Sequence, residues 1–151
     1  MRSYSVQGTT ESSVGPKTAV TIIAAATVRP QMYEAWFGSA AAPVDYSIKA
    51  QIMRFTAAGT SAASPPTPEP NDPADVASLT TAGWTHSVEP TYTAGKILLM
   101  VPFNARNTVR WVAYQPGREF VAPATAANGL GIRNLLASTA LVMDAGCMFF
   151  E

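Results

Sequence analysis

Apolar and polar residues alternate with a period of two over residues 46–56. Tyr46, Ile48, Ala50 and Ile52 share one parity, and Ser47, Lys49 and Gln51 share the other. Successive side chains of a strand point to opposite faces, so this pattern fits a half-buried strand. At Met53-Arg54-Phe55 the apolar residues change parity. A one-residue slip inverts both faces of a strand, so either a bulge or a passage of the strand from core to interface is expected there. Residues 108–114 alternate in the same way, with Val109, Trp111 and Ala113 set against Arg110, Val112 and Tyr114.

The rest of the chain carries further strand signals between turn signals. Tyr4 and Val6 suit a short first strand within a polar N-terminal arm, residues 1–16, whose end is marked by the turn pair Gly15-Pro16. Residues 18–27 begin β-branched and become alanine-rich, and the flanking Pro16 and Pro30 favour a strand over a helix. Residues 32–39 carry Tyr33, Trp36 and Phe37 as a core strand, ended by Gly38 and the Ala40-Ala41-Ala42-Pro43 segment. Residues 84–92 form a strand interrupted at Pro90, and residues 96–103 a buried one. Asn104-Ala105-Arg106-Asn107 reads as a hairpin turn and Gln115-Pro116-Gly117-Arg118 as a type II turn. Residues 119–123, 129–133 and 141–150 close the set.

Two segments stand apart. Five prolines (65, 66, 68, 70 and 73) fall within nine residues of a Pro-rich loop at 57–73. Such a run lacks the amide donors of a ladder and prefers extended geometry, as a surface loop or as an arm on a neighbouring subunit. Asp72-Pro73 then reads as the cap and first residue of one or two helical turns reaching Leu79. Eight to ten strands with turn signals near 8–12 residues apart predict an all-β fold. The expected form is a single-domain, jelly-roll-like β-sandwich of about eight strands over residues 1–151.

Length and composition agree. A chain of 151 residues is one domain by size and buries a core without staples. Charged residues are only 13%, against ~25% in an average protein. The balance of 10 basic against 10 acidic residues gives no net field toward nucleic acid or an anionic membrane. A chain with 26 Ala, 16 Thr and 12 Pro and so few charges is suited to hiding its surface against a partner.

Chemistry-bearing residues are sparse. A single Cys147 excludes an internal disulfide, and with a single His86 it excludes a His/Cys zinc site in one chain. His86 has no nucleophile elbow or cysteine beside it and reads as a surface or rim histidine. Glu34, Asp45, Glu89, Glu119 and Asp144 are scattered, not paired for glycosidase work. Gly129-Leu130-Gly131 lacks the third glycine and following helix of a dinucleotide loop. The cluster Asn71-Asp72-Pro73-Ala74-Asp75 is better explained by capping than by calcium. The expectation is no enzyme, no cofactor and no metal. The longest apolar runs hold five residues, against ~20 for a spanning helix, and the start lacks an apolar leader core. A protein made in the cytoplasm, with no membrane or nucleic-acid partner, is expected. Seven arginines against three lysines suit interfaces, because the guanidinium fork pairs bidentately and stacks on rings.

Taken in order, the chain shows a polar start and Ala26-Thr27-Val28-Arg29-Pro30 leading to an aromatic strand at Tyr33-Glu34. A strand with Ile48, Gln51 and Arg54 precedes the Pro/Ala/Thr loop ending in Asp72-Pro73-Ala74-Asp75. Glu89-Pro90-Thr91, the strand 96–103, the Trp111 strand and Pro116-Gly117-Arg118-Glu119-Phe120-Val121-Ala122-Pro123 follow. Gly129-Leu130-Gly131-Ile132 and a final apolar strand close the series. This series resembles the small capsid cement, or decoration, proteins of tailed bacteriophages. The resemblance implies a non-enzymatic jelly roll that sits as a homotrimer on the outer surface of the virion head and clamps neighbouring major capsid subunits. Contact residues expected on physical grounds are Arg2 and Tyr4 in the arm, Pro65, Pro66 and Pro68 in the loop, Trp84, His86, and Arg118 in its turn. The alternative is a receptor- or glycan-binding β-sandwich of the phage particle, with Trp84, His86 and Tyr92 as a surface platform.

Overall fold

The computed structural model describes residues 1–10, 15–40, 45, 47–61, 64–135 and 141–151. Parts of the expected arm (11–14), the Ala41-Ala42-Pro43 segment, Tyr46 and two residues of the Pro-rich loop (62–63) lie outside the described residues. Among the described residues the fold is all-β with no helix. Its strands are β1 (Ser3–Thr9), β2 (Lys17–Ile23), β3 (Gln31–Ser39), β4 (Ser47–Ala57), β5 (Glu69–Pro70), β6 (Thr81–Gly83), β7 (Thr91–Asn104), β8 (Thr108–Val112), β9 (Phe120–Val121), β10 (Gly129–Asn134) and β11 (Met143–Phe150).

They form two antiparallel sheets. The first runs β5-β1-β11-β3-β8, with β9 also paired to β3, and the second runs β6-β2-β10-β4-β7. Alternation sets the inner faces. Tyr4 and Val6 of β1, Ala35 and Phe37 of β3, and Ala145, Cys147 and Phe149 of β11 are buried in one core with residues of the second sheet. The second sheet contributes Val20, Ile22, Ile48, Ala50, Ile52, Leu130 and Ile132. Each large side chain removed from water in this way contributes about 1.5–3 kcal/mol. β4 keeps an unbroken register with β10 through Met53 and Phe55, so the parity change is not a slip of β4. Met53 and Phe55 face outward, and the extra residues that shift the β4–β7 register between Ile52 and Phe55 lie in β7. The type II turn is also present: Arg118 donates its amide to the Gln115 carbonyl at 3.2 Å, and Gly117 has φ 85°.

Several sequence expectations need correction. Residues 3–9 are not an arm, because β1 lies between β11 and β5 and pairs with both. No helix follows Asp72. Its carboxylate accepts the Ala74 amide at 2.9 Å and its carbonyl accepts the Asp75 amide at 3.0 Å, but this cap closes a single turn. Val76 and Leu79 beyond it are exposed and give a helix no apolar face to bury. The strand expected at 84–92 is broken: β6 ends at Gly83 and β7 begins at Thr91, with Pro90 between them. Residues 96–103 are not a buried strand but part of β7, at an edge, with Ile97 and Met100 exposed. The Asn104–Asn107 turn joins no hairpin, because β7 pairs with β4 in one sheet and β8 with β3 in the other. Part of the Pro-rich segment is tied to the body, since β5 pairs with Tyr4 and Ser5.

Candidate functional site

Of the eight residues expected to contact a partner, Pro65, Pro66 and Pro68 line one hollow, Trp84 bonds to the adjoining Ser64, and Arg118 lies across the first sheet from them. Arg2 is exposed and pairs with Asp75 at 3.4 Å. Tyr4 has no exposed surface; its ring stacks on Phe149 at 5.7 Å and its hydroxyl donates to the Val76 carbonyl at 3.1 Å. It is a core residue because β1 is an interior strand, which removes it from any contact surface. Pro65 is exposed, Pro66 half-buried and Pro68 buried, beside a hollow shared with Ser78, Thr80 and Ala82. Trp84 is half-buried and its indole donates to the Ser64 carbonyl at 2.8 Å. Arg118 is exposed over the Tyr114 ring at 5.7 Å, in the connection after β8, across the first sheet from Tyr4.

His86 is not a surface histidine: only 2% of it is exposed. Residues 84–92 fold back over the outer face of the second sheet, where Thr60 and Val88 exchange backbone bonds. Under this cover lies a polar cluster. Glu89 accepts the Thr18 amide at 3.0 Å and the Thr18 hydroxyl at 2.6 Å, with Lys17 3.7 Å from its other oxygen. The Tyr92 hydroxyl lies 2.8 Å from that of Thr18, and the Arg133 guanidinium sits 4.5 Å over the Tyr92 ring while bonding to Gln51. His86 meets the Thr21 hydroxyl at 3.5 Å through Nε2, and its Nδ1 has no hydrogen-bond partner among the described residues. Burial drives the Tyr92 phenol well above its usual range and the His86 imidazole below its own. Trp84, His86 and Tyr92 therefore make no open platform.

The glycines of Gly129-Leu130-Gly131 belong to this cover. A Cβ at 129 would collide with the Ile22 carbonyl and the Phe55 ring, and one at 131 with the Tyr92 hydroxyl. Phe55 and Tyr92 meet edge-on at 6.1 Å in the space so made. The motif makes room for aromatic side chains.

A second feature lies on the outer face of the first sheet. Pairing places Gln7, Gly146, Trp36 and Arg110 in one row across β1, β11, β3 and β8, and Thr9, Asp144, Gly38 and Thr108 in the next. The Trp36 indole lies against Gly146, where any Cβ would meet it. The result is a cleft of about 350 Å³ between Trp36, Gln7, Thr9, Asp144 and the neighbouring Trp84. Sequence reasoning took Trp36 as core. The signal was in the parity: with Ala35 and Phe37 turned inward, Trp36 must face outward.

A third feature is the flank formed by β7 and β8, the last strands of their sheets on that side. Ile97 is 42% exposed, Met100 49%, Val112 45% and Tyr114, just beyond β8, 73%. By register, Ile97 and Met100 share the outer face of Met53 and Gln51, and Val112 that of Glu34, so apolar groups border the flank on both faces. Lys96 and Pro102 bracket the apolar run of β7, as charges and prolines often do at exposed edges.

Among the described residues no group of His, Cys, Asp or Glu is arranged to hold a metal, and no helix is long and apolar enough to cross a membrane. No protein-family model, curated protein or solved structure matches this chain.

Proposed function

We propose that this chain is a capsid cement protein of a tailed bacteriophage. In this reading it forms a homotrimer, binds the outer surface of the head and clamps neighbouring major capsid subunits without catalysis. The observation that carries the reading is the β7–β8 flank. Exposed apolar side chains bordering two open strand edges on a charge-poor body fit a surface made for protein contacts.

The finer fold assignment, a jelly-roll sandwich, belongs to the same proposal. With the short β5, β6 and β9 set aside, eight strands remain. One sheet then takes the first, eighth, third and sixth of them, and the other the second, seventh, fourth and fifth. That is the order made when a long hairpin of four strand pairs is wrapped into two sheets, and it supports the jelly-roll reading. The resemblance of the sequence to cement proteins supports the same view.

Two measurements test it. Sedimentation of the purified protein should give a trimer, and a monomer at every concentration would remove the trimer. Heads assembled without this chain should lose DNA at lower temperature than complete ones, and equal resistance would overturn the cement role.

A further inference from the structure

We infer that the cleft between Trp36 and Asp144 is a carbohydrate site for neutral pyranose sugars. This inference does not rest on the cement reading; of the Trp84, His86 and Tyr92 grouping that the sequence suggested, only Trp84 touches the cleft.

Three features of the cleft point to that ligand. The first is shape: the Trp36 indole, seated on Gly146, walls a recess that is otherwise lined in part by the small residues Gly8, Ala40 and Ala145. Its volume of about 350 Å³ falls at the small end of ligand sites, which run ~300–1,000 Å³. The second is an aromatic wall. Trp36 is half-buried, so an indole surface remains for the apolar C–H face of a sugar ring.

The third is unspent polar capacity. The Trp36 indole N–H, the Gln7 amide and the Asp144 carboxylate have no hydrogen-bond or ion-pair partner among the described residues, and all three residues line the cleft. Thr9 adds a hydroxyl beside Asp144. A carboxylate that accepts, an amide that both donates and accepts, and an indole that donates are suited to hydroxyl groups, which do both. A single carboxylate and no cation in the lining disfavour anionic sugars. An apolar peptide would leave the same three groups unpaired as it displaced water from them.

Nuclear magnetic resonance of the indole N–H groups reads this directly, with Trp36→Phe identifying the Trp36 signal. The probes are cellotriose, maltotriose, triacetylchitotriose and, as an acidic control, trigalacturonate. At least one neutral trisaccharide should move the Trp36 signal saturably, with trigalacturonate weaker. Asp144→Asn and Gln7→Ala, both outward-facing, should each weaken binding about tenfold. Gly146→Ala should abolish it by pushing the indole into the cleft. Silence of the whole panel overturns the inference, as does binding unchanged by Asp144→Asn and Gln7→Ala. If Gly146→Ala does not fold, those two variants still decide. None of these outcomes alters the trimer or head-stability measurements.

Discussion

The hydroxyl of Tyr92 stands in the space that a side chain at Gly131 would need. The same oxygen lies 2.8 Å from the Thr18 hydroxyl, so it is fixed from two sides. Gly131→Ala should therefore destabilise the fold by about 1–3 kcal/mol, the usual cost of overpacking. Tyr92→Phe should cost about 1 kcal/mol by losing the Thr18 bond, but it removes the obstructing oxygen. The double variant should be more stable than the sum of the two losses. Urea denaturation of the four proteins measures that coupling, and strict additivity would contradict the fit.

His86 makes the fold sensitive to mild acid. Burial lowers its pKa below the ordinary 6.5; Glu89 and the nearby Thr18 backbone oppose the shift, and Lys17 reinforces it. Between the folded and unfolded values the unfolded chain holds more protons, so stability rises with pH in that window. The contribution is complete above about pH 6.5 and is lost as pH falls toward the folded value. The urea midpoint should drop between pH 7.5 and 5.5. His86→Phe, whatever its effect at pH 7.5, should flatten the drop. Identical slopes in the two proteins would refute the assignment.

What could be read from the sequence follows from which physics was local. Alternation over Ile48, Ala50 and Ile52 is a local consequence of strand geometry and appears in β4, whereas the apolar Phe55 on the opposite parity meets Tyr92, a partner distant in sequence. Sheet membership is not local. The five apolar residues from Ile97 to Val101 suggested a buried strand, but nothing nearby in sequence says that β7 has β4 on one side and, among the described residues, no strand on the other. Tyr4 was misplaced for the same reason, since its neighbours come from residues 69–70 and 143–150. His86 looked exposed among Thr85 and Ser87, because the surface that covers it belongs to β2 and residues 60–61. The cleft residues Gln7, Trp36 and Asp144 are distant in sequence and meet only through cross-strand register.

Glu151 works as an anion clasp for the segment before β6. Its carboxylate accepts the amides of Thr80 at 2.7 Å and Leu79 at 3.2 Å, and the Ser78 hydroxyl. Burial pushes its pKa up, but these bonds together outweigh burial and hold it below the ordinary 4.5. A depressed carboxylate adds stability above its unfolded pKa and loses it as pH falls through the folded value. Glu151→Gln should thus cost about 1 kcal/mol at pH 7, a figure kept small by partial exposure. The difference between the two proteins should shrink as pH falls through the folded value, and a gap undiminished in acid would show that charge is not its source.

Cys147 is enclosed in the core, and burial alone pushes its thiol up to about 12. Thiolate is the reactive form, so the native protein should resist an aromatic disulfide reagent at pH 8. Full reaction should appear only in denaturant, with a midpoint matching the loss of β signal in circular dichroism. Rapid labelling of the native protein would mean that β11 opens independently of the rest.

The trimer proposed for the cement role places a specific demand on the β7 flank. Ile97 and Met100 give little to the fold of a single chain, because 42% and 49% of their surfaces are exposed. Replacing both with lysine should leave the urea midpoint of dilute protein nearly unchanged, since surface substitutions usually fall within about 0.5 kcal/mol. The same change puts two charges where a partner must exclude water, which an interface core does not tolerate. Light scattering should then report a monomer for Ile97→Lys/Met100→Lys under conditions where the unaltered protein is a trimer. Loss of folding instead would mean that these side chains serve the core. A trimer that survives the double change with its affinity intact would move the interface off this flank, and with it the observation on which the cement reading rests.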